Sequence, residues 1–168
     1  NDANAVRNYT ETYDYDKVGN LLQMFHSAQA TPMATWTRDY TYTTGTNRLA
    51  TTSGGATYLH DDHGNMTSMP HLSTIAWSAF DQMASANLGG GGAVYFVYGA
   101  DGQRVRKVWE QTGSQKKERV YLGGYEVYRE KTSGVTQLER QTLHVMDGVK
   151  RIAMVETKTI DGGNPVGT

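Results

Sequence analysis

One stretch of nine residues constrains the fold more than any other feature of the chain. Tyr13-Asp14-Tyr15-Asp16-Lys17-Val18-Gly19-Asn20-Leu21 reads as a strand, a tight Gly19-Asn20 turn and the start of a returning strand. Degenerate copies recur downstream. His60-Asp61-Asp62-His63-Gly64-Asn65-Met66 keeps the acidic position, the Gly-Asn pair and the apolar landing residue. Trp77 to Met83, with Phe80 inside it, keeps the aromatic start and the apolar end. Tyr98 to Val105 keeps the aromatic residue and a turn glycine, Gly102, and Tyr42 to Leu49 is a looser copy with one extra residue. Aligned on Tyr15, Tyr42, His60, Trp77 and Tyr98, the spacings are 27, 18, 17 and 21 residues. Units of this size bury their faces only against their neighbours, so the chain reads as a repeat protein.

Composition agrees with that reading. The chain has 11 tyrosines and 19 glycines, while its hydrophobic share is 38%, below the usual globular value. Many short, half-solvated antiparallel strands joined by tight turns require such a balance. The aromatic residues are too many and too evenly spread for a disordered chain. Residues 1–100 carry 4 basic and 8 acidic side chains and residues 101–168 carry 12 and 9, so the two parts stand at −4 and +3. This asymmetry is too mild for a general nucleic-acid binder, but it would let two segments of an assembly attract each other. With no cysteine, disulfides and thiolate metal sites are excluded. No apolar run reaches membrane-spanning length and the N-terminus lacks a signal-peptide pattern. Asn1-Asp2-Ala3 reads as a cut from a longer polypeptide.

The expected architecture is all-β, a single array of consecutive antiparallel hairpins over residues 1–168, with residues 160–168 a loop or frayed end. Leu21, Met24, Phe25 and Ala28 have helical spacing, yet a strand returning from the Gly19-Asn20 turn should pair back on residues 7–16, and strand is the expectation. Thr31-Pro32 ends it. Further strands fall at 35–43, 48–52, 56–60, 65–69, 73–78, 82–87 and 94–98, with Gly89 to Gly92 a flexible connection. Asp101-Gly102 is the strongest hairpin signal. Four more strands follow, punctuated by Gly123-Gly124, Ser133-Gly134 and Asp147-Gly148. The repeat positions expected to build the array are Tyr15, Asp16, Gly19, Asn20, Leu21, Tyr42, Leu49, His60, Gly64, Asn65, Met66, Trp77, Phe80, Met83, Tyr98 and Gly102.

Catalytic chemistry finds little to stand on. His60 and His63 with Asp61 and Asp62 could ligate a divalent metal, but His60 also fills the aromatic slot of its repeat, and i and i+3 face opposite sides of a strand. The glycine run 89–92 leads into a strand, not into the helix a phosphate cradle needs. Arg104, Arg106, Lys107, Lys116, Lys117 and Arg119 lie near Trp109 and Tyr121 as a single-stranded nucleic-acid platform would require, but Glu110 and Glu118 dilute them. No nucleophile elbow is present. No catalytic residue, metal ligand, cofactor or nucleic-acid partner is assigned.

The motif Tyr15-Asp16-x-x-Gly19-Asn20-Leu21 resembles the tyrosine-aspartate (YD) repeat of Rhs proteins, toxin-complex C subunits and teneurins. The run Arg119–Arg129 (RVYLGGYEVYR), followed by Leu138–Met146 and Arg151–Thr157, looks more specifically like bacterial Rhs and toxin-complex C-type proteins, in which it lies just before the Rhs-associated core. The resemblance implies a segment in the wall of a large hollow β-shell that encloses a C-terminal toxin. Its implied partners are the remaining repeats of the parent protein and that toxin, its setting a secreted or delivered bacterial toxin. Unprotected edge strands would also allow self-association. A carbohydrate- or cell-surface-binding β module is the alternative, with a metal-dependent hydrolase using His60 and His63 behind it. The autoproteolytic aspartate site and variable toxic C-terminus that family members often carry are not visible in this chain.

Overall fold

The structure is a computed structural model that describes residues 8–28 and 35–167. Its contacts separate into two compact units, Asn1–Pro70 and His71–Thr168, where one uninterrupted array was expected. Thr31-Pro32 lies outside the described residues.

In the first unit, β1 (Tyr9–Tyr15), β2 (Leu21–Ala28), β3 (Trp36–Tyr42), β4 (Leu49–Thr52) and β5 (Ala56–Thr57) form a five-stranded sheet in chain order. β6 (Leu59–His60) and β7 (Met66–Ser68) form a separate hairpin. The segment with helical spacing is strand β2, paired with β1 from Tyr9↔Ala28 to Tyr15↔Leu21 and with β3 from Gln23↔Asp39 to His26↔Trp36. A helix of eight residues is marginal, and ladder bonds on both edges outweigh the spacing. The single strand expected over 56–60 is divided at Tyr58, whose N–H donates to Ala50 O, so that β5 pairs back on β4 and β6 forward on β7.

In the second unit one sheet runs β8 (Thr74–Trp77), β9 (Met83–Asn87), β10 (Ala93–Tyr98), β11 (Arg104–Glu110), β12 (Gln115–Leu122), β13 (Tyr125–Thr132), β14 (Val135–Asp147), β15 (Lys150–Asp161) and β16 (Asn164–Pro165), each antiparallel to its sequence neighbour. The frayed end expected from residue 160 is a correction. Ile160 and Asp161 close β15 and pair with Pro165 and Asn164. Gly162 and Gly163, at φ +56° and +83°, supply the consecutive left-handed residues that turn the chain back. The glycine run is equally ordered, a short 3-10 turn over Gly89–Gly91 closed by Gly92 at φ 86°. A Cβ on Gly92 would lie 2.0 Å from the Glu110 carbonyl oxygen, so only glycine fits there.

The core is thin and two-sided. Ile75, Ala86 and Val94, cross-strand partners in turn, are buried on one face of the nine-stranded sheet. Val108 and Val127 are buried on the opposite face. Among the described residues no large side chain is fully enclosed.

Candidate functional site: a repeated turn and a charged sheet

The repeat is a specific piece of covalent geometry. The Gly19 N–H donates to Asp16 O (3.2 Å) and the Asp16 N–H to Asn20 O (2.9 Å), with Gly19 at φ +92°. The turn therefore spans Asp16 to Gly19, two residues earlier than a turn centred on Gly19-Asn20. The same two bonds recur at Asp61–Asn65, Ser78–Gln82 and Gly99–Gln103, with Gly64, Asp81 and Gly102 at the left-handed position. At the last of these the tight Asp101-Gly102 turn is likewise replaced by a four-residue turn starting at Gly99. The looser copy closes from Thr46 N–H to Thr43 O, with its one extra residue accommodated before Arg48.

Side chains lock these turns to different degrees. Asp16 Oδ1 accepts from the N–H groups of Val18 (2.9 Å) and Asn20 (2.8 Å), and its Oδ2 from Asn20 Nδ2 (2.8 Å). Asp61 and Asn65 repeat the last two contacts at 2.8 and 3.1 Å. Desolvation pushes both aspartates up, but the hydrogen bonds they accept outweigh it and hold them below the usual carboxylate range. Ser78 does the same work through its hydroxyl, and at Gly99 the side chain is missing, with Asp101 Oδ1 accepting from Gln103 N–H (3.0 Å).

The aromatic slot and the landing residue face each other in every copy: Tyr15↔Leu21, Tyr42↔Leu49, His60↔Met66, Trp77↔Met83 and Tyr98↔Arg104. The register then shifts, leaving one extra residue on the returning strand: Leu22, Ala50, Thr67, Ala84 or Val105. The slot also joins successive repeats. The Tyr42 hydroxyl donates to Leu21 O (2.9 Å) and the Tyr98 hydroxyl to Met83 O (3.0 Å), each reaching the landing residue of an earlier copy. Arg48 donates to the Asp61 and Asp62 carbonyls at 2.8 Å and lies against Gly64. Phe80 stands at its turn tip, 85% exposed. None of these contacts between repeats was visible in the sequence.

The second unit adds a lattice of ion pairs that sequence reasoning missed, because it depends on register. On the face carrying Val108 and Val127, Glu118 is 5% exposed and meets Arg106 at 2.5 Å and Lys131 at 3.0 Å. Arg129 Nε donates to Glu139 (2.6 Å), which also accepts from Gln141 (2.9 Å) and Thr159 (2.8 Å). On the other face Glu126 binds Arg119 and His144. Burial pushes Glu118, Glu126 and Glu139 up, but the hydrogen bonds they accept prevail and all three lie below the ordinary glutamate value. Burial and the bond to Glu130 push the Tyr128 phenol up to about 12.

The basic set considered for nucleic acid is divided between faces: Arg106 and Lys116 oppose Val120 and Glu110, while Lys107 and Lys117 oppose Arg119 and Trp109. His60 lies in β6 and His63 in the turn, and among the described residues no three His, Asp or Glu side chains come close enough to hold a metal ion. No helix among the described residues is long and apolar enough to cross a membrane.

No family model matches the chain. It is 26% identical to the toxin subunit YenC2 of Yersinia entomophaga, over 99% of this chain and 18% of that protein. A crystal structure of TcdB2-TccC3 superposes with a TM-score of 0.72 at 25% identity, covering 95% of this chain and 8% of that one. The Photorhabdus luminescens Tc holotoxin pore matches with the same TM-score at 24% identity and the same coverage. The chain thus spans under a fifth of the relatives it matches. Through this likeness along nearly its whole length, in sequence and in an all-β fold of antiparallel hairpins, the chain is related to the Rhs and toxin-complex C-type proteins.

Proposed function

We propose that the chain is a structural segment of a toxin-complex assembly, a stretch of wall in a hollow β-shell that encloses a C-terminal toxin, and that it performs no catalysis of its own. The observation that carries this reading is the joining of repeat to repeat, with the slot tyrosine of one copy bonded to the landing carbonyl of another. Such a strip grows by adding units and leaves both faces open, as expected of a wall whose remaining layers come from elsewhere. The partners are then the other repeats of the parent polypeptide and the toxin inside, in a secreted or delivered particle. Limited proteolysis of the full-length parent tests it. The C-terminal segment should survive until the wall is denatured; cleavage at the rate of the free segment would end the reading. Edge strands make a second check. Sedimentation of the isolated chain should reveal self-association, or complex formation with the separately expressed upstream part.

One observation favours a carbohydrate- or cell-surface-binding role. Tyr9, His26 and Trp36 stack across β1, β2 and β3 with centroids 5.1 Å apart, and Tyr9 remains 63% exposed. Reproducible glycan-array hits abolished by Trp36→Ala but not by Trp77→Ala would favour that role over the wall.

A further inference from the structure

The two faces of the nine-stranded sheet differ in what they leave unused, and the difference bears on what each can touch. On the Val108 face the buried carboxylates are saturated, Glu118 by Arg106 and Lys131, and Glu139 by Arg129, Gln141 and Thr159. A partner arriving there finds the buried acidic groups already satisfied. The opposite face holds a cleft of roughly 290 Å³ lined by Lys107, Trp109, Lys117, Glu118, Arg119 and Tyr128, with the Glu118 carboxylate itself committed to Arg106 and Lys131. Cations lie over rings throughout it, Lys117 over Trp109 at 5.9 Å and Arg119 over Tyr128 at 5.1 Å. Both rings are held in place from outside the cleft. Trp109 Nε1 donates to Gly91 O (2.8 Å), and the Tyr128 hydroxyl to Glu130 (2.7 Å).

Charge in the cleft is only partly compensated. Arg119 is committed to Glu126 and Lys117 reaches Glu130 at a loose 3.4 Å, while Lys107 makes no ion pair among the described residues. Rings fixed in advance lose little freedom when a ligand arrives, and cations beside them favour carboxylates and flat side chains. Resting on the wall reading, we propose that this cleft face is the one turned toward the enclosed toxin, and that it holds extended polypeptide through acidic and aromatic side chains.

The experiment has two arms. In the full-length parent, a benzoylphenylalanine cross-linker is placed at Lys107 on the cleft face or at Val97, whose pairing with Arg106 sets it on the other face. Cross-links to the C-terminal passenger from position 107 and not from 97 are expected. Cross-links from 97 alone would overturn the face assignment and leave the wall reading intact; none from either position would overturn both. The second arm measures binding of the chain to a synthetic glutamate–tyrosine peptide by fluorescence anisotropy. Salt-sensitive binding should weaken at least fivefold in the Lys107→Ala, Lys117→Ala double variant. Lys116→Ala, which removes an equal kind of charge from the opposite face, should leave it unchanged. An equal loss in Lys116→Ala, equal binding of a lysine–tyrosine peptide, or heparin binding indifferent to Trp109→Ala would reduce the cleft to a generic charge effect and overturn the proposal.

Discussion

The two units use the same turn and draw their stability from different places. In the first, strands are two to eight residues long, and the order lies in the turns: Asp16 with Asn20, Asp61 with Asn65, and Arg48 on the Asp61 and Asp62 carbonyls. In the second, the turn side chains thin to a serine and then to nothing, while the strands lengthen to 13 residues in β14 and the ion lattice appears. A repeat can thus lose its signature residues without losing its hairpin, provided cross-strand pairs take over. Side chains facing each other across a ladder contribute roughly 0.2–1 kcal/mol per pair, so long strands compensate by number.

The largest effect should come from the one position where backbone alone decides. Gly92→Ala would place a methyl group within van der Waals radius of the Glu110 carbonyl at a left-handed φ, and should cost about 3–5 kcal/mol in urea unfolding of the second unit. An unaltered midpoint would mean that the glycine turn is not fixed as described.

Next in size, Glu118→Ala should cost about 2–4 kcal/mol, since it strands Arg106 and Lys131 beside a buried site, whereas Asp16→Ala, in a turn whose tip is solvated, should cost clearly less. Equal losses would erase the contrast between the units. Gly64→Val falls between them at about 1–3 kcal/mol, because φ is +96° and the Arg48 guanidinium lies 3.5 Å from the added Cβ.

In acid the two units behave alike, because the carboxyl values of Asp16 and Asp61 in the first are lowered as well as those of the glutamates in the second. The folded-state values of Glu118, Glu126 and Glu139 lie below the ordinary one, so their stabilisation is present above the unfolded glutamate value and lost as pH falls through the lowered folded values. The second unit should therefore weaken below about pH 4.5. Tyr128 has the opposite sign: its raised value favours the neutral phenol, so that contribution holds below about pH 10 and disappears as pH rises toward about 12. Circular dichroism across both ranges, with Tyr128→Phe to remove the alkaline step, checks the assignment.

The smallest expected effect is Tyr42→Phe against Tyr98→Phe, each removing one hydroxyl-to-carbonyl bond for about 0.5–1.5 kcal/mol. Similar losses would indicate that the joint between repeats is shared by the two units.

Local pattern carried most of the fold. Alternation and turn glycines placed the hairpins, and the aromatic slots at Tyr15, Tyr42, His60, Trp77 and Tyr98 all face a landing position. The exact turn was less legible. Gly-Asn and Asp-Gly pairs suggest a two-residue turn, but an Asp16 carboxylate gripping a residue four positions on selects a longer one. The division at Tyr58 and the paired end at Asn164 depend on which strand edge is free, which no local window contains. The cleft and the Glu118 lattice were illegible for the same reason. Lys107, Lys117 and Arg119 separate from Arg106 and Lys116 only once the β11–β12 register is known.

The extra residue after every landing position has a consequence for how such a chain can change over generations. A bulge bends its strand and adds to the local twist, and here it occupies the same place in each of five copies. Duplicating or deleting a whole copy carries its bulge along and keeps inward and outward residues in phase. Losing a single residue within a strand exchanges the two faces from that point on. Copy number is thus a variable that a gene can alter while each hairpin keeps its two faces in phase.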